Sequence, residues 1–301
     1  MLRYDAGEVI TAMATPFNEK REIDYASVEK LSRHLVEHGS DAILVAGTTG
    51  ECPTLTHEEE YELFYTVKAT VCGGAKLIFS AGSNSTRTAV DVAKKMNEIG
   101  VDALLSVVPY YNKPNQQGLI EHFGAIAKAT DLPIIIYNIP SRTGITMTPQ
   151  TMAFLAKEYP HIVGVKQSLG DMDAISEITE LCPEDFVIYS GDDSLTLPML
   201  SLGAHGVISV ASHVVGSEIK SMIRNYKSGQ IHAAKNMHKA LFPLFRKLFM
   251  APNPIPVKAV LSKLGIMENY VRRPLYELNE VERLELFDVL NKVLETLNGM
   301  Q

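Results

Sequence analysis

The run His161-Ile162-Val163-Gly164-Val165-Lys166 decides the fold, because it is an apolar stretch that ends in a lysine. A run of this kind without polar alternation is typical of a parallel strand whose two faces are both buried. Lys166 then allows two interpretations. Either it lies just past the strand and reaches water, or it is desolvated so that its amine attacks a carbonyl carbon and forms a Schiff base. The second interpretation gains weight if other polar groups converge on the same place.

Seven further apolar runs of strand length alternate with helical patterns along the chain. The eight predicted strands cover 9–13, 42–46, 76–81, 103–108, 133–137, 162–166, 186–190 and 206–210. Eight such strands with helices between them favour an α/β fold of the (β/α)8 TIM-barrel type over an open doubly wound sheet. After residue 225 the pattern is helical only. We therefore predict a barrel with the catalytic site over 1–225 and a C-terminal helical appendix over 226–301.

Capping residues predict where several of the helices begin. Asp24 precedes one helix, Thr148-Pro149 begins another, and Thr56-His57-Glu58-Glu59 has the pattern of a capping box. Asn84 is predicted to cap a helix that ends at Gly100. These caps place helices between successive strands, as a barrel of this type requires.

Composition excludes several classes of function. A net charge of −7 with scattered basic residues argues against a nucleic-acid partner, and no apolar run is long enough to cross a membrane. There is no GxGxxG or P-loop motif and no metal-ligand spacing among the nine histidines and three cysteines, so we expect neither a nucleotide cofactor nor a metal. The N-terminus lacks a basic stretch followed by an apolar one, and the cysteines form no motif, which together predict a cytoplasmic enzyme.

Polar groups follow several predicted strands, and the carboxyl ends of barrel strands open on one face. The segments concerned are Gly47-Thr48-Thr49-Gly50-Glu51, Pro109-Tyr110-Tyr111-Asn112, Tyr137-Asn138-Ile139-Pro140-Ser141-Arg142 and Gly206-Val207-Ile208-Ser209. Taken singly, each has an ordinary explanation as a turn, as packed tyrosines or as a surface ion pair. Together with Lys166 they fit the capture of an α-keto acid as an imine. The Thr48-Thr49 turn would hold the carboxylate, a tyrosine would move protons, and Arg142 could bind a second carboxylate.

The same motifs resemble the dihydrodipicolinate synthase / N-acetylneuraminate lyase family. The resemblance rests on the segment 47–51, on Tyr137-Asn138-Ile139-Pro140 and on Gly164-Val165-Lys166, in this order and spacing, and it extends to Pro252-Asn253-Pro254-Ile255-Pro256-Val257-Lys258. The double threonine and Arg142 are similar to the synthase branch rather than to the lyases. The resemblance implies condensation of pyruvate with L-aspartate-4-semialdehyde in lysine and diaminopimelate biosynthesis.

The resemblance also implies which residues are catalytic. Lys166 would form the pyruvate imine and Tyr137 would donate the proton. Thr48 and Tyr111 would complete a proton relay with Tyr137. Tyr111 would come from a neighbouring subunit, because the family implies a homotetramer built as a dimer of dimers.

Substrate binding follows from the same resemblance. Thr49 and the backbone at Ile208 would bind pyruvate, and Arg142 would bind the carboxylate of the aldehyde substrate. No metal or organic cofactor is implied, since the imine on the lysine is itself the electron sink.

Two departures from the synthase pattern leave the aldehyde substrate open. Gln167-Ser168 follows the lysine, where the synthases usually have an acidic residue and then a small one, and Cys52 stands where a small residue is usual. A pyruvate-dependent aldolase acting on a 2-keto-3-deoxy sugar acid is therefore an alternative, against which Arg142 argues. A catalytically idle barrel with a binding role is a second alternative, against which the complete set of polar groups argues.

Feedback inhibition by lysine is a further property that the family implies for some members. The positions that match the effector site of lysine-sensitive members are Cys52, Pro53, His57, Glu60, Asn84, Thr88 and Tyr110. Here Glu60 replaces a histidine and Thr88 replaces a glutamate. The lost glutamate would have been an ionic partner for an ammonium group of lysine, so we expect weak inhibition or none.

Overall fold

The computed structural model describes residues 4–300, and its strands form a closed parallel barrel in the order β1-β2-β3-β4-β5-β6-β7-β8. The strands are β1 Val9–Ala12, β2 Ala42–Val45, β3 Lys76–Ser80, β4 Ala103–Val107, β5 Ile134–Asn138, β6 Ile162–Gln167, β7 Val187–Ser190 and β8 Gly206–Ser209. Apart from the ends of β3 and β4, their residues are buried, because each strand is covered on both faces. The predicted barrel and the eight predicted strands are confirmed, with bounds that differ by one residue.

Helices fill the connections between the strands and the C-terminal part of the chain. They are α1 Tyr25–Glu37, α2 His57–Val71, α3 Thr86–Ile99, α4 Gln116–Ala127, α5 Pro140–Thr143, α6 Pro149–Glu158, α7 Met172–Leu181, α8 Thr196–Leu200, α9 Ser212–Lys227, α10 Ile231–Lys247, α11 Ile255–Lys263 and α12 Glu280–Asn298. Short 3₁₀ turns lie at Cys52–Thr54 and Asp193–Leu195. No helix within residues 4–300 combines the length and apolar character needed to cross a membrane.

The described chain divides into two compact units. One consists of residues 4–7 and 77–208, and it contains β4 to β7 with nearly all of β3 and β8. The other consists of residues 8–76 and 209–300, and it contains β1, β2 and the C-terminal helices. The division into a barrel over 1–225 and an appendix over 226–301 stays a prediction.

In the first unit, the register between strands decides which side chains share a face. Tyr137 on β5 lies opposite Lys166 on β6, and Lys166 lies opposite Tyr189 on β7. Because side chains alternate between the two faces of a strand, these three residues point to the same side of the sheet. Asn138 and Gln167, the next register pair, point to the other side.

In the second unit, β1 and β2 pair in parallel and α9 packs on β1. The C-terminal helix α12 packs on α10 and α11, burying Leu286, Leu290 and Val293. This apolar stripe recurs at intervals of three and four residues, which explains why the segment is a helix that needs neighbours.

Most of the predicted helix caps are confirmed. Asp24 accepts a hydrogen bond from the Ser27 amide, Thr148 caps α6, and both halves of the Thr56 capping box are present. The prediction for Asn84 was wrong, because α3 begins one residue later and Ser85 is its cap. Ser85 has extended backbone geometry, and its side chain accepts from the Thr88 amide.

Two buried histidines link the stability of the fold to pH. Burial lowers the pKa of His122, on α4, and of His213, on α9, to about 4 in each case. His213 Nε2 accepts a hydrogen bond from the Ala14 amide at 3.0 Å, and its Nδ1 lies 2.8 Å from the Val210 carbonyl oxygen. This pair of contacts requires a neutral ring with the proton on Nδ1.

We expect the free energy of unfolding to fall as the pH drops from about 6.5 towards 4, because the unfolded chain then binds protons that the folded chain excludes. Each histidine accounts for about 3 kcal/mol at most. Urea titrations at several pH values measure the slope. His213→Gln should reduce this slope by about one proton, whereas His232→Gln, at an exposed site on α10, should leave it unchanged. An unaltered slope in His213→Gln would contradict the assignment.

Candidate active site

Lys166 lies near the end of β6 and is buried. The residue is only 6% exposed, and Nζ lies 4.3 Å from the centre of the Tyr137 ring. No carboxylate of residues 4–300 forms a salt bridge with it. Tyr137 is also buried. The structure therefore brings together the two residues that were predicted to carry out imine formation and proton transfer, and within residues 4–300 the amine has no anionic partner.

Gly191 makes room for the lysine side chain. A Cβ atom at this position would lie 3.1 Å from Lys166 Cε and 1.8 Å from Ser168 Oγ. The second distance is far shorter than any van der Waals contact, so a larger residue here would require the Ser168 side chain to shift. The absence of a side chain at Gly191 therefore leaves space beside the Lys166 side chain.

The remaining predicted residues of this unit occupy three separate elements. Arg142 lies on the short helix α5 and is exposed, whereas Ile208 lies within β8 and is buried. Tyr111 follows β4, is 89% exposed and has a φ of 72°, in the left-handed region. Such a backbone conformation is unfavourable for a tyrosine and occurs where surrounding structure enforces it.

In the second unit, the Thr48-Thr49 turn follows β2 and is closed by backbone hydrogen bonds. The Glu51 amide donates to the Thr48 carbonyl at 3.1 Å, and Glu51 has a left-handed φ of 57°. Thr49 is buried, and its Oγ1 accepts a hydrogen bond from Asn253 Nδ2 at 2.9 Å. Because that oxygen accepts from Asn253, the hydrogen of the Thr49 hydroxyl is left to donate to a ligand.

A buried ion pair anchors the end of this turn. Lys258 is fully buried, and its Nζ lies 2.5 Å from Glu51 Oε1, while Glu51 Oε2 accepts from the Arg272 amide at 2.9 Å. Burial lowers the pKa of Lys258 to about 8, and the adjacent carboxylate opposes this shift. The Phe17 ring contacts both cations, with 4.1 Å to Lys258 Nζ and 4.6 Å to Arg272 Cζ. The turn is thus held from the C-terminal part of the chain.

Comparison with known proteins identifies the family. The model of the dihydrodipicolinate synthetase family matches residues 5–293. The chain belongs to that family. This confirms the resemblance seen in the motifs.

Individual relatives of the family agree along nearly the whole chain. A 4-hydroxy-tetrahydrodipicolinate synthase of Synechococcus sp. is 52% identical over 291 residues, covering 97% of this chain and 94% of the relative. A 4-hydroxy-tetrahydrodipicolinate synthase of Desulforamulus reducens is 47% identical over 293 residues, covering 97% of this chain and 99% of the relative. The crystal structure of DHDPS from Cyanidioschyzon merolae with lysine bound has a TM-score of 0.94 and 48% identity, and covers 96% of this chain and 98% of that chain.

The sequence motifs did not identify Asn253 and Lys258 as the residues that hold the Thr48-Thr49 turn. Lys258 lies in Ile255-Pro256-Val257-Lys258-Ala259-Val260, an apolar run with a central lysine. The same signal drew attention to Lys166, so it could have identified Lys258 too. The two lysines differ in their partners, which a local pattern cannot reveal. Among residues 4–300, no group of three or more His, Cys, Asp or Glu side chains is arranged to hold a metal ion.

Replacing Lys258 by Met should lower the free energy of unfolding by about 3–5 kcal/mol, because it leaves the Glu51 carboxylate buried without a cation. Urea denaturation measures the loss. The double variant Glu51→Gln/Lys258→Met should lose less than the sum of the two single variants. As a control, Lys292→Met removes an exposed salt bridge to Asp288 of 2.7 Å and should cost less than about 1 kcal/mol. Strict additivity in the double variant would show that the pair is not coupled.

Proposed function

We infer that this chain is a 4-hydroxy-tetrahydrodipicolinate synthase, a lyase-type enzyme that condenses pyruvate with L-aspartate-4-semialdehyde. Lys166 carries this inference, because it is a buried amine with no salt-bridge partner among residues 4–300. Lys258 is the other buried lysine of residues 4–300, and its Nζ lies 2.5 Å from Oε1 of the Glu51 carboxylate. An unpaired buried amine is costly to the fold and is suited to nucleophilic attack.

The reaction begins when the Lys166 amine adds to the C2 carbonyl of pyruvate and water leaves, giving an imine. Loss of a proton from the pyruvate methyl group turns the imine into an enamine, whose carbon attacks the aldehyde of the semialdehyde. The amine of that substrate then displaces the lysine from the imine, which closes the ring and frees the enzyme. Tyr137 is the proton carrier, a role supported by the 4.3 Å between its ring centre and Lys166 Nζ.

The further residue roles are part of the same proposal. Thr48 and Tyr111 form a proton relay with Tyr137, and Thr49 and the Ile208 backbone bind pyruvate. The Thr49 role is supported by the Asn253 hydrogen bond, which leaves the threonine hydroxyl as a donor. Arg142 binds the carboxylate of the semialdehyde, which its exposed position in α5 supports.

Assembly, cofactor use and location complete the proposal. Tyr111 is supplied to the site of a neighbouring subunit in a homotetramer, which its 89% exposure supports. The imine on Lys166 acts as the electron sink, so the reaction needs no added cofactor. A cytoplasmic location is supported by the three cysteines, Cys52, Cys72 and Cys182, none of which is in a disulfide.

Lys166→Ala and Lys166→Arg should both abolish trapping of pyruvate by borohydride, because neither variant has an amine that can form the imine. Mass measurement of the reduced protein detects the adduct. Lys292→Arg, at an exposed site on α12, should retain it. A pyruvate adduct in Lys166→Ala would show that another amine reacts.

Arg142→Ala should weaken use of the semialdehyde and leave pyruvate trapping intact. Loss of a charge-assisted contact corresponds to a roughly 10- to 150-fold lower kcat/KM for the aldehyde. Steady-state rates with each substrate varied in turn measure the effect. Arg33→Ala, which removes an exposed pair with Glu29 on α1, should have no effect. Cleavage of a keto-deoxy sugar acid by an enzyme that ignores the semialdehyde would favour the aldolase alternative.

Lysine should inhibit this enzyme weakly or not at all. The Glu60 side chain is buried, and its Oε2 is hydrogen-bonded to His57 Nδ1 at 2.9 Å. Burial raises the pKa of the Glu60 carboxyl group. The Thr88 hydroxyl donates a hydrogen bond to Ser85 Oγ at 3.1 Å, and Thr88 has no carboxylate that could pair with an ammonium group. A titration of the initial rate with L-lysine tests the expectation. Strong inhibition below millimolar lysine would contradict it, and Thr88→Glu should increase the sensitivity if the missing carboxylate is the cause.

A further inference from the structure

The loop between β5 and α6 is closed by one buried side chain, the amide of Asn138. Its Oδ1 accepts a hydrogen bond from the Met147 amide at 3.1 Å, and its Nδ2 donates to the Met147 carbonyl at 3.3 Å. Asn138 and Met147 are both buried. The side chain therefore joins the two ends of the loop by a pair of hydrogen bonds like those between neighbouring strands.

Gln167 holds the Asn138 amide in this orientation. It lies opposite Asn138 in the register of β5 and β6, is buried, and accepts a hydrogen bond from Asn138 Nδ2 at 2.9 Å. The Met147 amide can only donate, so it fixes the oxygen of Asn138 on its own side and turns the NH₂ group towards Gln167. We call Asn138 and Gln167 the amide pair.

The loop that the amide pair closes carries Arg142. Within it, Thr143 Oγ1 bonds to the carbonyls of Ile139 at 3.1 Å and Ile145 at 2.9 Å, and the Arg142 amide donates to Ile139 at 3.0 Å. The loop is therefore well ordered internally. Its placement on the strands rests on the hydrogen bonds between Asn138 and Met147, together with the bond that Gln116 Nε2, on α4, donates to the Thr146 carbonyl at 2.9 Å. The position of the exposed Arg142 guanidinium depends on that of the loop.

We propose that the amide pair positions Arg142 and so sets the selectivity for the second substrate. The proposal rests on the proposed function, from which it takes the role of Arg142. Asn138 and Gln167 face away from Tyr137 and Lys166, because successive side chains of a strand point to opposite faces. They are positioning residues that act through the loop, and the pyruvate imine forms without their help.

Gln167→Met tests the proposal, because it removes the acceptor while keeping a side chain of similar size. The KM for the semialdehyde should rise about tenfold, which corresponds to about 1.4 kcal/mol. The KM for pyruvate and the borohydride-trapped adduct should not change. Gln167→Glu keeps an acceptor for Asn138 Nδ2 and should restore most of the affinity for the semialdehyde. Hydrogen exchange at the Met147 amide should be faster in Gln167→Met and slow again in Gln167→Glu.

Two controls make the outcome decisive. Gln117→Met makes the same substitution at an exposed glutamine on α4, and should leave both KM values unchanged. If Gln167→Met does not fold, Asn138→Asp removes the two donations but keeps the acceptor for Met147, and the same selective rise is expected. An unchanged KM for the semialdehyde, or an equal rise for pyruvate, overturns the proposal alone. A wild-type enzyme that does not consume the semialdehyde overturns the proposed function as well.

Discussion

A lysine amine can be buried only where something replaces the water it loses, and this constraint applies to Lys258 and to Lys166. At Lys258 the replacement is a carboxylate, which makes the amine a structural cation and ties residue 258 to Glu51 on the turn after β2. At Lys166 no carboxylate of residues 4–300 takes that place, and the amine instead lies 4.3 Å from the centre of the Tyr137 ring. A ring face compensates less than an ion pair does, which suits the imine-forming role that we propose for Lys166.

The barrel could be predicted from the sequence because its strands are buried on both faces. Each of them therefore consists mainly of consecutive apolar residues. Helix caps were also predictable, because a cap needs only a side chain that accepts a hydrogen bond from the amide three residues later, and both groups lie close together in the sequence. The error at Asn84 shows the limit: Asn84 and Ser85 are both good caps, and only the backbone angles of Ser85 select it. The Lys258 partner was not predictable, because Glu51 lies 207 residues away in sequence.

Buried amides of the site were the least predictable feature. Asn138, Gln167 and Asn253 are polar residues next to strand ends or in a proline-rich loop, where a local pattern indicates an ordinary surface loop. Burial gives them their importance, because a buried amide has to find partners and thereby fixes whatever those partners belong to. For Asn253 the partner is the Thr49 hydroxyl, and for Asn138 it is the loop that carries Arg142. Neutral amides provide this fixation without adding a buried charge.

Charge distribution explains why the site relies on local donors. The chain has a net charge of −7, so its overall field repels an anion such as pyruvate, although salt screens that field beyond about 8 Å. Binding would therefore rely on short-range groups, which in the proposed function are the Thr49 hydroxyl, hydrogen-bonded to Asn253, and the Arg142 guanidinium. The semialdehyde carries both a carboxylate and an ammonium group and has no net charge at neutral pH. The overall field neither attracts nor repels that substrate, so in the proposed function the Arg142 guanidinium provides the recognition of its carboxylate.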